Sequence, residues 1–251
     1  MSHLDSAPAP ALTLFLAAAA AAFTALPATA DTLVSWDFNS PVADGNTGTG
    51  STMPAIGSGS VSLVGGTTAS FASGDASGGS SDPASGDDSG WNTSTYAAQG
   101  AGDRSRGAAF TVSTAGYENL VLGYDLRHSN TSSRFEAVQY SLDGSTWIDA
   151  ALFDANQGGD RWYNGRTINL SAVAGAADNV SFAFRVVAAF APGTAQYLAT
   201  TAGSNYGTTG TWRFDSVTLS GTPVAVIPEP QTLVLLLAGL GAVGFVARRR
   251  A

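Results

Sequence analysis

Short segments in which hydrophobic and polar residues alternate dominate the middle of the chain. In the clearest of them, over 120–127, Leu and Tyr at even positions alternate with Val, Gly, Asp and Arg at odd positions. Successive side chains of a strand point to opposite faces, so this pattern predicts a strand with one buried face. The same reasoning predicts strands at 32–39, 61–64, 91–97, 108–113, 134–142, 166–170, 180–188 and 211–219.

These strands, joined by turns and without an amphipathic helix among them, predict an all-β fold over 31–222. The predicted architecture is an antiparallel β-sandwich of the jelly-roll type. In the last strand Trp212 and Phe214 share one face, whereas Val217 and Leu219 have the opposite parity. A β-bulge near Asp215 and its neighbour would bring all four side chains to the same face.

Two segments interrupt the alternation, at 41–59 and 65–90. They consist mostly of Gly, Ser, Thr, Asp and Pro, which predicts long surface loops. The second loop contains four irregularly spaced aspartates: Asp75, Asp82, Asp87 and Asp88. Because this spacing is not that of an EF-hand, we interpret these carboxylates as solvated loop residues.

The N-terminus has the layout of a secretory signal peptide over 1–30. An apolar run at 11–23 is followed by Pro27 and by Ala28-Thr29-Ala30, with cleavage expected before Asp31. This predicts an N-terminal signal helix and export through the secretion machinery. The first ten residues carry no Lys or Arg, however, and an uncleaved Ala-rich helix is the alternative.

The C-terminus predicts a transmembrane helix over 232–247, where the chain has no charge. At about 1.5 Å per residue this helix is roughly 24 Å long, somewhat short of the ~30 Å hydrocarbon core. The Arg-rich tail 248–251 is expected to stay cytoplasmic, which places the body on the other side of the membrane. Pro228 and Pro230 make the preceding segment, 223–231, a stiff extended spacer.

Three features follow one another at this terminus: Pro228-Glu229-Pro230, a short apolar helix, and Arg248-Arg249-Arg250. This order resembles the PEP-CTERM sorting signal of bacterial exported proteins, although Gln231 stands where that family more often has Ser or Thr. The resemblance implies an exosortase partner, a membrane cysteine protease that cuts near the tripeptide. It also implies an inner-membrane-anchored precursor that ends at the cell surface or outside the cell. An ordinary single-pass anchor is the alternative.

The amino-acid composition of the chain argues against several classes of function. The chain has no Cys, so disulfides, thiolate metal sites and a cysteine nucleophile are excluded. All 11 basic residues are Arg, and only 12% of residues are charged. Between Asp31 and Ile227, 17 acidic residues face 8 arginines, a net charge of −9. A body this acidic repels phosphate backbones, which argues against nucleic-acid binding.

The body also lacks the residue sets of common hydrolases. His128 is its only histidine, lies at a strand end and is expected at the surface. No G-x-S-x-G motif occurs, and Glu118 and Glu136 are the only glutamates of the body. We therefore predict a non-enzymatic protein. The alternative is a secreted hydrolase, or an accessory carbohydrate-binding module of an extracellular enzyme system.

The segment 140–147, YSLDGSTW, is similar to the Asp box of sialidase propellers, but one residue between Asp143 and Gly144 is missing. Asp-Gly between two apolar runs is a strong signal for a tight turn. We therefore favour a hairpin with Trp147 packed across it.

Five segments of the body resemble the jelly-roll modules of bacterial extracellular enzymes, which are similar to carbohydrate-binding domains: WDFN (36–39), GYENLVLGYDLRHSN (116–130), VQYSLDGSTW (138–147), FAFRVV (182–187) and WRFDSVTLSG (212–221). In many such domains a structural calcium ties the first strand to the last. The resemblance implies that Asp37 and Asp215 hold it, since two carboxylates with carbonyl oxygens suit a hard cation. Alternatively, both side chains bond nearby backbone amides.

Aromatic residues in or beside the Gly-rich loops are candidate ligand contacts. The stretch 156–164 mixes amides, Asp and Arg with Trp162 and Tyr163, and Tyr206 closes a second such stretch. Sugar rings stack on aromatic faces while polar neighbours hold the hydroxyl groups, but most Trp and Tyr of a sandwich belong to the core. The resulting hypothesis is an exported surface or matrix protein that associates with exopolysaccharide.

Overall fold

The computed structural model describes residues 29–84, 86–224 and 230–250. Within these ranges the chain forms twelve strands. Their bounds are β1 (Asp31–Trp36), β2 (Ile56–Gly57), β3 (Ser60–Val64), β4 (Thr68–Ser73), β5 (Ser89–Ser94), β6 (Gly107–Thr111), β7 (Tyr117–His128), β8 (Phe135–Ser141), β9 (Ile148–Asp154), β10 (Arg161–Asn169), β11 (Ala183–Ala189) and β12 (Trp212–Pro223). A 3₁₀ turn (Ala76–Gly78) and a C-terminal helix, α1 (Pro230–Arg250), complete the described elements.

The strands form two antiparallel sheets. In the seven-stranded sheet the order is β10-β7-β12-β1-β2, and β5 also pairs with β12 and carries β4 on its other side. The five-stranded sheet has the order β3-β6-β11-β8-β9. One hydrophobic core contains side chains from both sheets. The predicted antiparallel β-sandwich is confirmed.

Aromatic side chains hold the two sheets together. Phe110 of the five-stranded sheet stacks on Phe184 with ring centroids 4.8 Å apart. It also meets the edge of Trp36 at 5.2 Å and of Phe214 at 6.2 Å, both from the other sheet. These edge-to-face and stacked arrangements are the favourable geometries of aromatic pairs. Trp36 and Trp212 are fully buried, as expected for core residues.

Strand β12 changes its neighbour half-way along its length. Its first residues, Trp212 to Phe214, pair with β5, and from Val217 onward it pairs with β1. Between these parts the register against β7 shifts after Asp215, and Ser216 has a positive φ of 47°. The bulge predicted from the side-chain parity is therefore confirmed. The bulge lies where the pairing of β12 with β5 ends and its pairing with β1 begins.

Three polar side chains, His128, Glu136 and Arg166, contact one another between the sheets. His128 lies 3.2 Å from Glu136 through Nε2 and Oε2, and Arg166 Nε lies 2.7 Å from the other oxygen of Glu136. The expectation of a surface His128 is wrong, because both His128 and Glu136 are fully buried. The cause is long-range: β8 of the opposite sheet supplies the Glu136 carboxylate that compensates the buried ring.

Three strands were not expected from the sequence. Two of them, β2 and β4, fall in the segments predicted as loops, and β9 follows the confirmed hairpin at Gly144. The Ala- and Ser-rich β4 offers only Phe71 to the core, so it lacks a visible alternation. Pairing with β5, which is itself anchored on β12, supplies the order that its own side chains do not specify.

The terminal predictions fall largely at the limits of the described chain. Residues 1–28 of the predicted signal peptide, and Pro228 and Glu229, lie outside the described residues. Helix α1 covers the predicted 232–247, and its large apolar side chains between Val234 and Val246 are 51–72% exposed. In the part of the chain that the structure describes, no helix has both the length and the apolar character needed to cross a membrane.

Phe110→Ala should lower the free energy of unfolding by roughly 3–5 kcal/mol, because it removes a fully buried ring and leaves a cavity between the sheets. Chemical denaturation followed by tryptophan fluorescence measures this change. Ile148→Ala, at an exposed position of the edge strand β9, is the control and should cost less than about 1 kcal/mol. Equal effects of the two substitutions would contradict the assigned core.

Candidate functional site

A polar loop covers the outer face of the seven-stranded sheet. We call this segment, residues 74–88, the Asp loop; residue 85 lies outside the described part. It buries no large apolar side chain and is held by polar contacts instead. The indole Nε1 of Trp162 donates to the carbonyl oxygen of Ala76 at 2.8 Å, and the amide of Ser81 donates to Asp125 Oδ2 at 2.5 Å.

Three carboxylates converge beneath this loop. Oxygen atoms of Asp82, Asp88 and Asp215 all lie within 4.8 Å of one another. Asp88 is 1% exposed and Asp215 is fully buried. Asp88 Oδ1 and Asp215 Oδ2 have no hydrogen-bond partner among the described residues. Buried unpartnered oxygens of this kind are costly, so the cluster calls for a positive charge or a proton.

The interpretation of Asp88 as a solvated loop residue is wrong, since Asp88 is buried, whereas Asp82 is half-buried. The loop folds back over β12. Two local features allow it to do so. The bulge places Asp215 at the gap where β1 leaves β12 and β5 joins it. Gly74 lies directly against the Asp88 carboxylate, and a Cβ atom at that position would overlap it. A larger residue at position 74 would therefore displace the Asp88 carboxylate from its place in the cluster.

Burial is the main cause of the raised pKa values of two carboxyl groups in the cluster. Loss of hydration raises the pKa of Asp215 to about 9, and repulsion by Asp88 adds to this. Burial likewise raises the pKa of Asp88 to about 6. An aspartate in an unfolded chain titrates near 3.9, so in the absence of a cation the folded chain favours the protonated forms. The cation-free fold should therefore lose stability as the pH rises from about 4 to about 9.

The residues fit a hard divalent cation. Carboxylate oxygens are the preferred ligands of Ca²⁺ at about 2.3–2.6 Å, so two ligands of one ion lie at most about 5.2 Å apart. The cluster meets this condition. Asn39, just after β1, donates to Asp82 Oδ2 at 2.9 Å and connects the first strand to the cluster. Asp37 is not part of it; its Oδ1 accepts a hydrogen bond from the Asn39 amide.

A polar groove of about 370 Å³ lies beside the Asp loop. One wall is formed by Ser77, Gly78 and Gly79 of the loop. The other wall comes from the stretch 156–164, singled out in the sequence for its mixture of residues: Gln157, Gly159, Arg161, Trp162 and Asn164. Asn164 Nδ2 donates to the carbonyl oxygen of Gly79 at 3.0 Å and joins the two walls.

Arg161 is the most available charged group of this groove. Its side chain is exposed, and its one hydrogen bond within the described chain is a long contact of 3.4 Å to the carbonyl oxygen of Gln157. A guanidinium has five N–H donors, so donors remain for a ligand. Trp162 is only 7% exposed, so little of its ring is available to a ligand.

The other two aromatic candidates are placed differently. The Tyr163 hydroxyl donates to the Gly158 carbonyl oxygen at 2.8 Å, and its ring packs inward against His128. Tyr206 stacks on Tyr197 at 4.6 Å and donates to a backbone oxygen through its hydroxyl. Tyr163 therefore supports the groove wall from behind, and Tyr206 is not among the groove residues.

Residues 226–250 match the PEP-CTERM protein-sorting motif. This match covers the tripeptide, the apolar helix and the arginine cluster from which the resemblance was drawn. A comparison with curated proteins gives no match.

Several solved structures are similar to the body. The CBM22-1 xylan-binding domain of Xyn10C from Paenibacillus barcinonensis is 10% identical, with a TM-score of 0.43, covering 80% of this chain and 100% of that chain. A xylan-binding domain from CBM 22 is 11% identical, with a TM-score of 0.38 and coverages of 66% and 89%. The K2 cleaved adhesin domain of Lys-gingipain is 14% identical, with a TM-score of 0.39 and coverages of 74% and 96%. Likenesses this distant carry no argument about ligand or activity.

Asp215→Asn should have opposite effects with and without a cation. In chelator at pH 8 it should stabilise the protein by about 1–3 kcal/mol, since the buried Asp215 carboxyl must take up a proton to stay neutral at this pH, whereas the Asn amide need not. The same substitution should abolish the rise in melting temperature that calcium gives the unaltered protein. Thermal unfolding at pH 5 and pH 8, with calcium and with chelator, measures both effects.

Asp87→Asn is the matched control, because Asp87 neighbours Asp88 in the chain but bonds the amide of Gly45 instead of joining the cluster. It should keep the calcium response. An unaltered protein whose melting temperature is the same in calcium and in chelator at pH 8 would contradict the cation site.

Proposed function

We propose that this chain is an exported, non-enzymatic surface or matrix protein that is sorted through its C-terminal tail and binds polysaccharide through its body. The observation that carries the proposal is the PEP-CTERM motif at 226–250, directly after the last strand of a β-sandwich. In this proposal the precursor is held at the inner membrane with its body outside the cytoplasm. An exosortase then cuts near Pro228-Glu229-Pro230, and the body reaches the cell surface.

The form of α1 supports recognition of the tail by a membrane protease. The described large apolar side chains between Val234 and Val246 are exposed. At the end of the helix, Arg249 lies over the ring of Phe245 at 4.8 Å, so a cationic end follows directly on the apolar segment. A short apolar helix with such an end suits a protein partner within the membrane better than free solution.

The groove supports binding of a neutral polymer. It offers amide, hydroxyl and guanidinium groups beside a small exposed part of the Trp162 side chain, which suit sugar hydroxyls and the apolar face of a ring. Its lining residues include neither a carboxylate nor a histidine, whereas glycoside hydrolysis uses a pair of carboxylates. The net charge of −9 on the body disfavours polyanions. We therefore propose a neutral exopolysaccharide as the ligand.

Replacing Glu229 by Ala together with the three tail arginines by Gln should block sorting. The full-length precursor should then accumulate in the membrane fraction, because both the cleavage tripeptide and the orientation signal are lost. Intact-mass spectrometry of membrane, surface and medium fractions detects this. The unaltered protein should yield a form that begins at Asp31 and ends near Pro230, and deletion of the exosortase should abolish it.

Gln231→Ser, which moves this position toward the residues more common in the sorting signal, is the control and should be processed normally. An unaltered protein found only in the membrane with Ala251 intact would contradict the sorting proposal.

Arg161→Ala should weaken retardation of the protein in a gel that contains the purified neutral exopolysaccharide of the producing cell. Loss of one charged hydrogen-bond donor should lower the affinity about 10- to 100-fold. The side chain is exposed, so the melting temperature should change little. Glu118→Gln, at the opposite end of β7 from the groove, is the control. Equal retardation of Arg161→Ala and the unaltered protein would remove the groove from the proposal.

A further inference from the structure

We propose that a divalent cation held by Asp82, Asp88 and Asp215 assembles the groove, so that ligand binding at the groove depends on cation binding beneath the Asp loop. The inference rests on the proposed function for its ligand. Its structural part, the ordering of the loop by the cation, stands independently of it.

The two walls of the groove are held in place by different kinds of contact. The wall from 156–164 is fixed by contacts of its own. Gly159 donates to Thr201 Oγ1 at 2.9 Å, and Asp160 bonds Arg127 at 2.8 Å. Strand β10 then pairs along β7 from Arg161 onward. This wall therefore has anchors in the sheet and in neighbouring loops besides its two hydrogen bonds to the Asp loop.

The opposite wall belongs to the same loop as two of the three clustered carboxylates. Ser77, Gly78 and Gly79 face the groove, and Asp82 and Asp88 follow within ten residues. The loop has no large apolar side chain in the core, so its position depends on polar contacts alone. Any force that moves the carboxylates of the loop therefore also moves the groove wall.

Those forces depend on what balances the clustered oxygens. Asp215 belongs to the sheet, whereas Asp82 and Asp88 belong to the loop, so a cation bound by all three would tie the loop to β12. Without it, Asp88 Oδ1 and Asp215 Oδ2 are buried with no partner among the described residues. The nearby Asp125 does not relieve this, because its oxygens accept the amides of Ser81 and Gly165.

The local charge balance favours a divalent ion. Arg213 lies on the same face of β12, two residues before Asp215, and Asp215 and Asp88 attract its guanidinium. The three carboxylates and this guanidinium together carry a net charge of −2, which one divalent cation neutralises. Asp88 Oδ1 and Asp215 Oδ2, which lack partners, are the oxygens that such an ion would engage first.

Hydrogen exchange and polymer binding of the full-length protein, each with calcium and with chelator, test the inference. Calcium should slow amide exchange of peptides within 74–88 and raise the affinity for the neutral exopolysaccharide, each about tenfold or more. Peptides of β10 should exchange equally in both conditions. Asp82→Asn, which removes a loop ligand and leaves the sheet unaltered, should lose both calcium effects. Asp87→Asn should keep them.

The possible results distinguish failure of this inference from failure of the proposed function. Exchange within 74–88 that ignores calcium, or a calcium effect that survives Asp82→Asn, overturns the inference. Protection of the loop with unchanged polymer affinity also overturns the coupling, while polymer binding itself remains. Protection of the loop without polymer binding in any condition supports the cation-ordered wall and contradicts the proposed ligand.

Discussion

Strand β12 pairs with three strands, and the seven-stranded sheet and the acidic cluster both depend on this pairing. It pairs with β7 along one side, while β5 and β1 share the other side in succession. A strand that changes partners half-way needs a local irregularity, which the bulge after Asp215 provides. The bulge returns Val217 and Leu219 to the core and leaves the Asp215 carboxylate at the junction. The acidic cluster is thus a consequence of the sheet topology.

The two faces of the seven-stranded sheet make different kinds of contact. Its inner face carries the aromatic contacts together with His128 and Arg166, which contact Glu136 of the five-stranded sheet. Its outer face carries the Asp loop and the groove. Because the outer contacts are polar, an ion bound there as proposed would act on them without disturbing the aromatic contacts of the core.

Much of the fold could be predicted from the sequence, because burial of one face forces alternation along each strand. The bulge near Asp215 could be predicted for the same reason, and the sorting tail could be recognised because its features are contiguous. The cluster could not, since Asp88 and Asp215 are far apart in the chain and their meeting depends on the pairing of β5 with β12. His128 was misplaced because its partner Glu136 lies on the other sheet. The stretch 156–164 was singled out for its mixture of residue types, but only the structure places Ser77 opposite Arg161.

The direction of the strands has a mechanical consequence. The groove lies where β10 begins, next to the end of β7 and the start of β12, whereas the tail follows the end of β12. These points are separated by the length of a twelve-residue strand, roughly 40 Å. A pull between a polymer in the groove and an attachment at the tail would therefore run along the strands. It would load the ladder hydrogen bonds together in shear instead of opening them one after another, and a tethered sandwich resists that mode of loading best.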